Sequence, residues 1–221
     1  MKETGAEPGN VEALYRRAFA LAVFTIVYNV AEGVVAVGFG YRDESLTLFG
    51  FGLDSFIEVL SGVGIAHMVL RIQRHPSSDR DGFEKLALRV TGFAFYGLVA
   101  GLLATGAYKI VSGDRPETTL VGVIVSFVSI AVMLALLSAK QKAGTALRSA
   151  PIIADAHCTR VCIYMSLVLL GASAVYELTH IAYVDIAGSL ALAYLSFIEG
   201  RECFSKARGE ASCACDPADP R

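Results

Sequence analysis

Two carboxylates stand four residues apart within a long apolar stretch of the chain, in the segment LFGFGLDSFIEVLSG. If this segment is a helix, Asp54 and Glu58 lie on the same face of it, because residues four apart are neighbours on a helix surface. A charged side chain in the hydrocarbon of a membrane is costly, and such residues usually mark the pathway of an ion. The two acids therefore favour a cation site over a structural cluster of hydrogen bonds.

A second pair with the same spacing occurs further along, in the segment IIADAHCTRVCIYMS. Cys158 and Cys162 offer sulfur ligands, which favour zinc, cadmium and other late metals over magnesium, calcium or manganese. Two antiparallel helices that carry these pairs would place four ligands around one point, the number that a tetrahedral zinc site takes. Counting by helical rise, we expect Asp54 to lie level with Cys162 and Glu58 level with Cys158.

The same four side chains bind protons when no metal is present. A free thiol has a pKa of about 8.5, so it carries its proton at neutral pH. Metal binding needs deprotonated ligands and therefore releases protons. If the site opens alternately to the two sides of a membrane, this competition predicts the exchange of a metal ion for protons.

The segments that must position these residues are long and apolar. Hydrophobic residues make up 54% of the 221-residue chain, too large a share for an ordinary soluble domain. Each candidate segment is long enough to cross about 30 Å of hydrocarbon as a helix. We therefore expect an all-α integral membrane protein of six transmembrane helices. The expected spans are residues 15–39, 45–71, 86–112, 117–139, 151–177 and 182–200.

These spans divide the chain into three parts. We expect a cytoplasmic N-terminal tail over residues 1–14, a six-helix transmembrane domain over residues 15–203 and a flexible cytoplasmic tail with cysteines over residues 204–221. Lys and Arg residues concentrate on one side of the expected bilayer, which places both termini in the cytoplasm. We expect a multi-pass protein of a bacterial inner membrane. No basic stripe accompanies the net charge of −2, so a nucleic-acid partner is not expected.

Four further polar residues lie near the two pairs. Asn29 and Glu32 are about one turn apart on the first helix, where they form either a proton relay or support for a metal ligand, or equally polar contacts between helices. His157 is a reserve ligand, although it points about 100° away from Cys158. Asp155 is expected at the inner mouth of the site, where it guides cations or satisfies the start of a helix.

Arg160 lies between the two cysteines in the sequence, at a depth where arginine is costly. It needs a partner, and Glu32, Asp155 or the lipid headgroups could each provide one. If it reached Glu58 instead, it would neutralise a candidate ligand and weaken the transport hypothesis.

The two ligand pairs carry a resemblance to a known family. SLTLFGFGLDSFIE resembles the second helix of the cation diffusion facilitators, in which a Ser-Leu pair precedes two acids four residues apart. ADAHCTRVC is similar to the pattern A-D-x-x-H-x-x-x-D of their fifth helix, with Cys158 at the histidine position and Cys162 at the aspartate position. Asp185 and the segment IEG, which ends at Gly200, match the ends of their sixth helix. The likeness covers residues 15–203.

The resemblance implies a six-helix transporter that exports zinc or a related divalent cation from the cytoplasm, usually in exchange for protons. Zinc is then a transported substrate rather than a cofactor. We expect a homodimer within the lipid bilayer. Members of the family commonly carry a cytoplasmic domain of ferredoxin-like shape after the membrane domain, and we expect this chain to lack it.

A protein of another class would bind metal without transporting it. Such a membrane sensor or storage protein would act through a partner and would depend on Cys213 and Cys215 in the tail, where the C-x-C spacing is a weak metal signal and incidental thiols are as plausible. A transporter would instead need the two intramembrane pairs. An enzyme is not expected, since we find no nucleophile with an oriented base, no phosphate-binding loop and no cofactor fingerprint.

Overall fold

The chain folds into six consecutive α-helices. The computed structural model describes residues 8–74, 82–113, 116, 119–147 and 150–208, and these residues contain no β-strand. The predicted all-α, six-helix architecture is therefore confirmed. Several helices extend further than the apolar pattern predicts. Their bounds are Pro8–Arg42 (α1), Leu46–Arg74 (α2), Gly82–Ser112 (α3), Leu120–Leu147 (α4), Ala150–Thr179 (α5) and Ala182–Arg208 (α6).

Five of these helices, α1 to α5, contain a stretch long and apolar enough to cross a membrane. The sixth helix has 27 residues but is more polar, because charged side chains lie in its first turn and again in its second half. The stretches in the other five are Glu12–Arg42, Leu46–Arg71, Leu88–Ser112, Leu120–Leu147 and Asp155–Thr179.

The helices that carry the two ligand pairs, α2 and α5, contact each other. α1 packs along α2 and also against α4, and α4 packs along α5, so that these four helices form one group. α3 and α6 pack together as a pair, which contacts α2 and α5 from another side. The two helices of the candidate site, α2 and α5, therefore contact α1 and α4 on one side and the pair of α3 and α6 on another.

The close approach of α1 to α2 depends on glycine. A Cβ atom added to Gly52 would lie 2.6 Å from the backbone nitrogen of Val37, and one added to Gly40 would lie 2.4 Å from the backbone nitrogen of Phe49. No side chain fits at such distances, so only a residue without a Cβ allows this contact. The close packing brings polar side chains of α1 within reach of the acids on α2.

A buried acid of α6 caps the first turn of α2. Asp185 accepts hydrogen bonds from the backbone N–H groups of Leu46 at 2.7 Å and of Thr47 at 3.1 Å. The hydroxyl of Ser45 donates to the same carboxylate at 2.9 Å. The first N–H groups of a helix have no partner within it, so Asp185 satisfies donors that would otherwise be buried and unpaired. This contact ties α6 to the helix that carries the paired carboxylates.

Candidate metal site

Glu58 and Cys162 bring α2 and α5 together at the candidate site. The thiol of Cys162 donates a hydrogen bond to Oε1 of Glu58. The expectation that Glu58 lies level with Cys158 is therefore wrong, and the offset between the two helices differs from the expected one by about one turn. The count assumed upright helices that start at equal depth, whereas packing against neighbours sets the tilt and axial position of a membrane helix.

The second carboxylate oxygen of Glu58 is held from α1. The side-chain amide of Asn29 donates to Oε2 of Glu58 at 2.9 Å, and Asn29 is fully buried. Glu58 is thus fixed between α1 and α5 through both of its oxygens. This is the contact expected of a residue that orients a metal ligand, because such partners lock the ligand's rotamer.

Asp54 lies one turn before Glu58 on α2 and is 3% exposed. Its Oδ1 atom is buried without a hydrogen-bond partner among the described residues. The neighbouring charges that act on it belong to Glu58, Glu199 and Glu32, so the surroundings of Asp54 are acidic. A buried carboxylate oxygen without a donor is costly, and a cation is one group that can satisfy it.

Cys158 faces a different set of charges from its partner in the pair. It is half-buried, and the groups that act on it electrostatically are Lys206, Glu199, Asp155 and Cys203. Glu199 and Cys203 were not among the predicted site residues. Their separation of four residues on α6 repeats the spacing of the two recognised pairs, and this signal could have identified them.

The described residues include no group of three or more Asp, Glu, Cys or His side chains placed so as to hold a metal ion. The structure brings together Glu58 and Cys162, one residue from each predicted pair. Asp54 precedes Glu58 by one turn of α2, and Cys158 precedes Cys162 by one turn of α5. Because the two helices are antiparallel, Asp54 and Cys158 lie on opposite sides of the contact between Glu58 and Cys162. Half of the predicted ligand set is thus in contact.

Glu32 connects α1 to α2 next to the paired carboxylates. Its Oε1 atom accepts a hydrogen bond from the hydroxyl of Tyr28 at 2.8 Å, and its Oε2 atom accepts one from the hydroxyl of Ser55 at 3.1 Å. The bond to Tyr28 lies within α1, whereas the bond to Ser55 is a polar contact between helices, one of the two roles considered for Glu32. A role in proton relay stays a prediction.

Asp155 has a partner that the sequence did not indicate. Its Oδ2 atom lies 3.0 Å from the ammonium nitrogen of Lys140, a buried residue of α4. Arg160, for which Asp155 and Glu32 were candidate partners, is half-buried and forms no ion pair with a described residue. His157 is also half-buried, and its role as a reserve ligand stays a prediction.

The described helices define a multi-pass membrane protein with acidic side chains buried between its helices. Residues 18–210 match the family model of the cation efflux transmembrane domain. The chain therefore belongs to the cation efflux family of metal transporters, and the resemblance noted in its second and fifth helices is confirmed. Comparison with curated proteins gives no match. Cys213 and Cys215 lie outside the described residues.

Proposed function

We propose that this protein exports zinc or a related soft divalent cation from the cytoplasm in exchange for protons. The contact between the Glu58 carboxylate and the Cys162 thiol carries the proposal. A carboxylate and a thiolate from two different helices suit zinc or cadmium better than a hard cation, because sulfur prefers late metals. The metal is the transported substrate, and the proposal includes neither a cofactor nor an enzymatic reaction.

The proposed ligands are Asp54, Glu58, Cys158 and Cys162. The unpartnered oxygen of Asp54 supports its inclusion, since a cation would satisfy it. Binding by all four requires α2 and α5 to move relative to each other from the arrangement described above. A shift of about one turn, roughly 5.4 Å, is a known kind of transition between packed helices. We therefore expect metal binding to accompany a change between two helix arrangements.

Proton exchange follows from the bond between Cys162 and Glu58. The thiol that donates to this carboxylate must lose its proton before the same two side chains bind a metal ion. Protons that return from the opposite side would then displace the metal. We propose Asn29 as the residue that orients Glu58, and Glu32 as a relay between the site and its surroundings.

We further propose a homodimer in the lipid bilayer, with both termini in the cytoplasm of a bacterial cell. The face of α3 that carries Gly97 and Gly101 supports the homodimer. Nothing lies within 4 Å of a Cβ added at either glycine, and an apolar groove of about 640 Å³ runs here between α2 and α3. The G-x-x-x-G spacing allows a second membrane helix to approach closely.

Metal uptake into proteoliposomes with an imposed proton gradient tests the proposal. Zinc and cadmium should accumulate in a gradient-dependent way, and Asp54→Ala and Cys158→Ser should abolish the flux. Ser173→Ala changes a buried polar side chain of α5 that lies outside the proposed ligand set, and it is the matched control. A folded protein that binds metal but transports none, and that loses binding when Cys213 and Cys215 are changed to serine, would favour the sensor hypothesis instead.

A further inference from the structure

Lys140 is a buried cation close to the candidate site. Its side chain is 2% exposed and is among the largest fully buried side chains of the described residues. The ammonium nitrogen lies 3.0 Å from Oδ2 of Asp155 and donates a hydrogen bond to the hydroxyl of Thr159 at 2.9 Å. It also interacts electrostatically with Glu58 on α2. One positive charge of α4 thus lies close to acids of α5 and α2.

The partners of Lys140, Asp155 and Thr159, lie on the face of α5 that carries the two cysteines. Asp155, Cys158 and Cys162 follow one another at intervals of three and four residues, which places all three on one face of α5. From Asp155 to Cys162 this stripe is about 10 Å long. Asp155 is the member nearest the start of α5, so a cation that moves along the stripe from that end meets it first. This carboxylate forms the ion pair with Lys140.

Stability alone does not require this ion pair. Removing two charges from water costs several kcal/mol, and apolar residues often replace buried pairs without loss of stability. Apolar packing already joins α4 to α5, because Met133 and Leu136 cluster with Ile163. A Cβ added to Gly144 would lie 2.9 Å from the side chain of Ile153, so the helices also lie close together.

We propose that the Lys140 ammonium is a tethered cation that holds Asp155 when no metal is bound, and that an incoming divalent cation must displace it from this carboxylate. Lys140 is then a positioning residue that weakens metal binding and helps release. The inference rests on the proposed function, because it assumes that a metal ion travels along the α5 stripe. A purely structural ion pair would have no such effect on metal affinity.

Titration of the purified full-length chain in lipid nanodiscs with Cd²⁺, followed by the absorbance of the cadmium–thiolate bond, tests this inference. Lys140→Met frees Asp155, and cadmium should bind at least about five-fold more tightly, the lower end of typical coupling between sites. Lys140→Met combined with Asp155→Asn should return the affinity to near the wild-type value. Lys142→Met removes an exposed lysine two residues away on α4 and should change nothing.

The outcomes separate this inference from the proposed function. Equal or weaker cadmium binding by Lys140→Met, with normal binding by the wild type, would overturn the role of Lys140 and leave the transport proposal standing. No cadmium–thiolate signal in the wild type would overturn both. If Lys140→Met does not yield a monodisperse protein, Lys140→Gln tests the same expectation, since it keeps a hydrogen-bond donor towards Asp155 and Thr159 without the charge.

Discussion

The thiol of Cys162 on α5 donates a hydrogen bond to the carboxylate of Glu58 on α2, across a separation of 104 residues in the chain. Asn29 holds the other oxygen of the same carboxylate. One acid therefore joins α1, α2 and α5 at the place where a thiol and a carboxylate meet. A metal ion can bind these two side chains only after the thiol has lost its proton. This competition between proton and metal is the physical basis of the proposed exchange.

We expect Cys162→Ser to reduce cadmium transport more than manganese transport. The serine hydroxyl can still donate to Glu58, but it is a poor ligand for soft metals. Cadmium uptake should fall by more than about 10-fold, because losing a ligand should cost at least as much as losing a residue that orients one. Competition between Cd²⁺ and Mn²⁺ uptake in proteoliposomes measures the change. Ser173→Ala, at a buried serine of α5 outside the proposed ligand set, should keep the wild-type preference. An equal loss for both metals in Cys162→Ser would argue against sulfur as a ligand.

Asn29→Ala should weaken metal binding by about 10- to 100-fold, because Glu58 loses the donor that orients it. Calorimetric titration with zinc provides the measurement. Thr25→Ala is the control on the same helix, since among the described residues the hydroxyl of Thr25 bonds only the carbonyl of Leu21 within α1. Similar affinities in the two variants would show that Asn29 does not act on the ligand.

Asp185→Ala should lower the free energy of unfolding by about 1–3 kcal/mol, because the N–H groups of Leu46 and Thr47 remain buried without an acceptor. Thermal unfolding in detergent, read from the melting temperature, tests this expectation. Glu44→Gln changes an exposed acid just before α2 and should have little effect. A melting temperature unaltered by Asp185→Ala would mean that the cap of α2 contributes nothing to stability.

Gly101→Ile should weaken the proposed homodimer without destabilising the protomer. A Cβ at this position would have no neighbour within 4 Å on another part of the described chain, so the larger side chain fits into the open apolar groove between α2 and α3, where it would obstruct a second helix. Light scattering of the protein in detergent gives the mass of the assembly. Gly171→Ile, at an equally open glycine of α5, is the matched control and should remain dimeric. If both variants keep the wild-type mass, the dimer does not form through this face of α3.

The candidate site was predicted in part because helical spacing is a local property. Asp54 and Glu58 share a helix face by virtue of their separation alone, and so do Cys158 and Cys162. Their chemistry also indicates a preference for soft metals before any contact is known. The partners across helices could not be predicted in the same way. Asp155 was considered beside Arg160, but its carboxylate pairs with Lys140 of α4, because α4 packs along α5 whereas Arg160 lies five residues along α5 on a different face.

The sequence by itself determined the membrane class and the six helices, since composition and the length of the apolar segments encode them directly, and the motifs of its second and fifth helices indicated the family. Only the tertiary structure decided which members of the pairs meet, how Asp185 caps α2 and where Lys140 points. These relationships depend on the axial shift, tilt and rotation of whole helices. Close contacts such as that of Gly52 with α1 set those quantities, and they arise only when all the helices pack together.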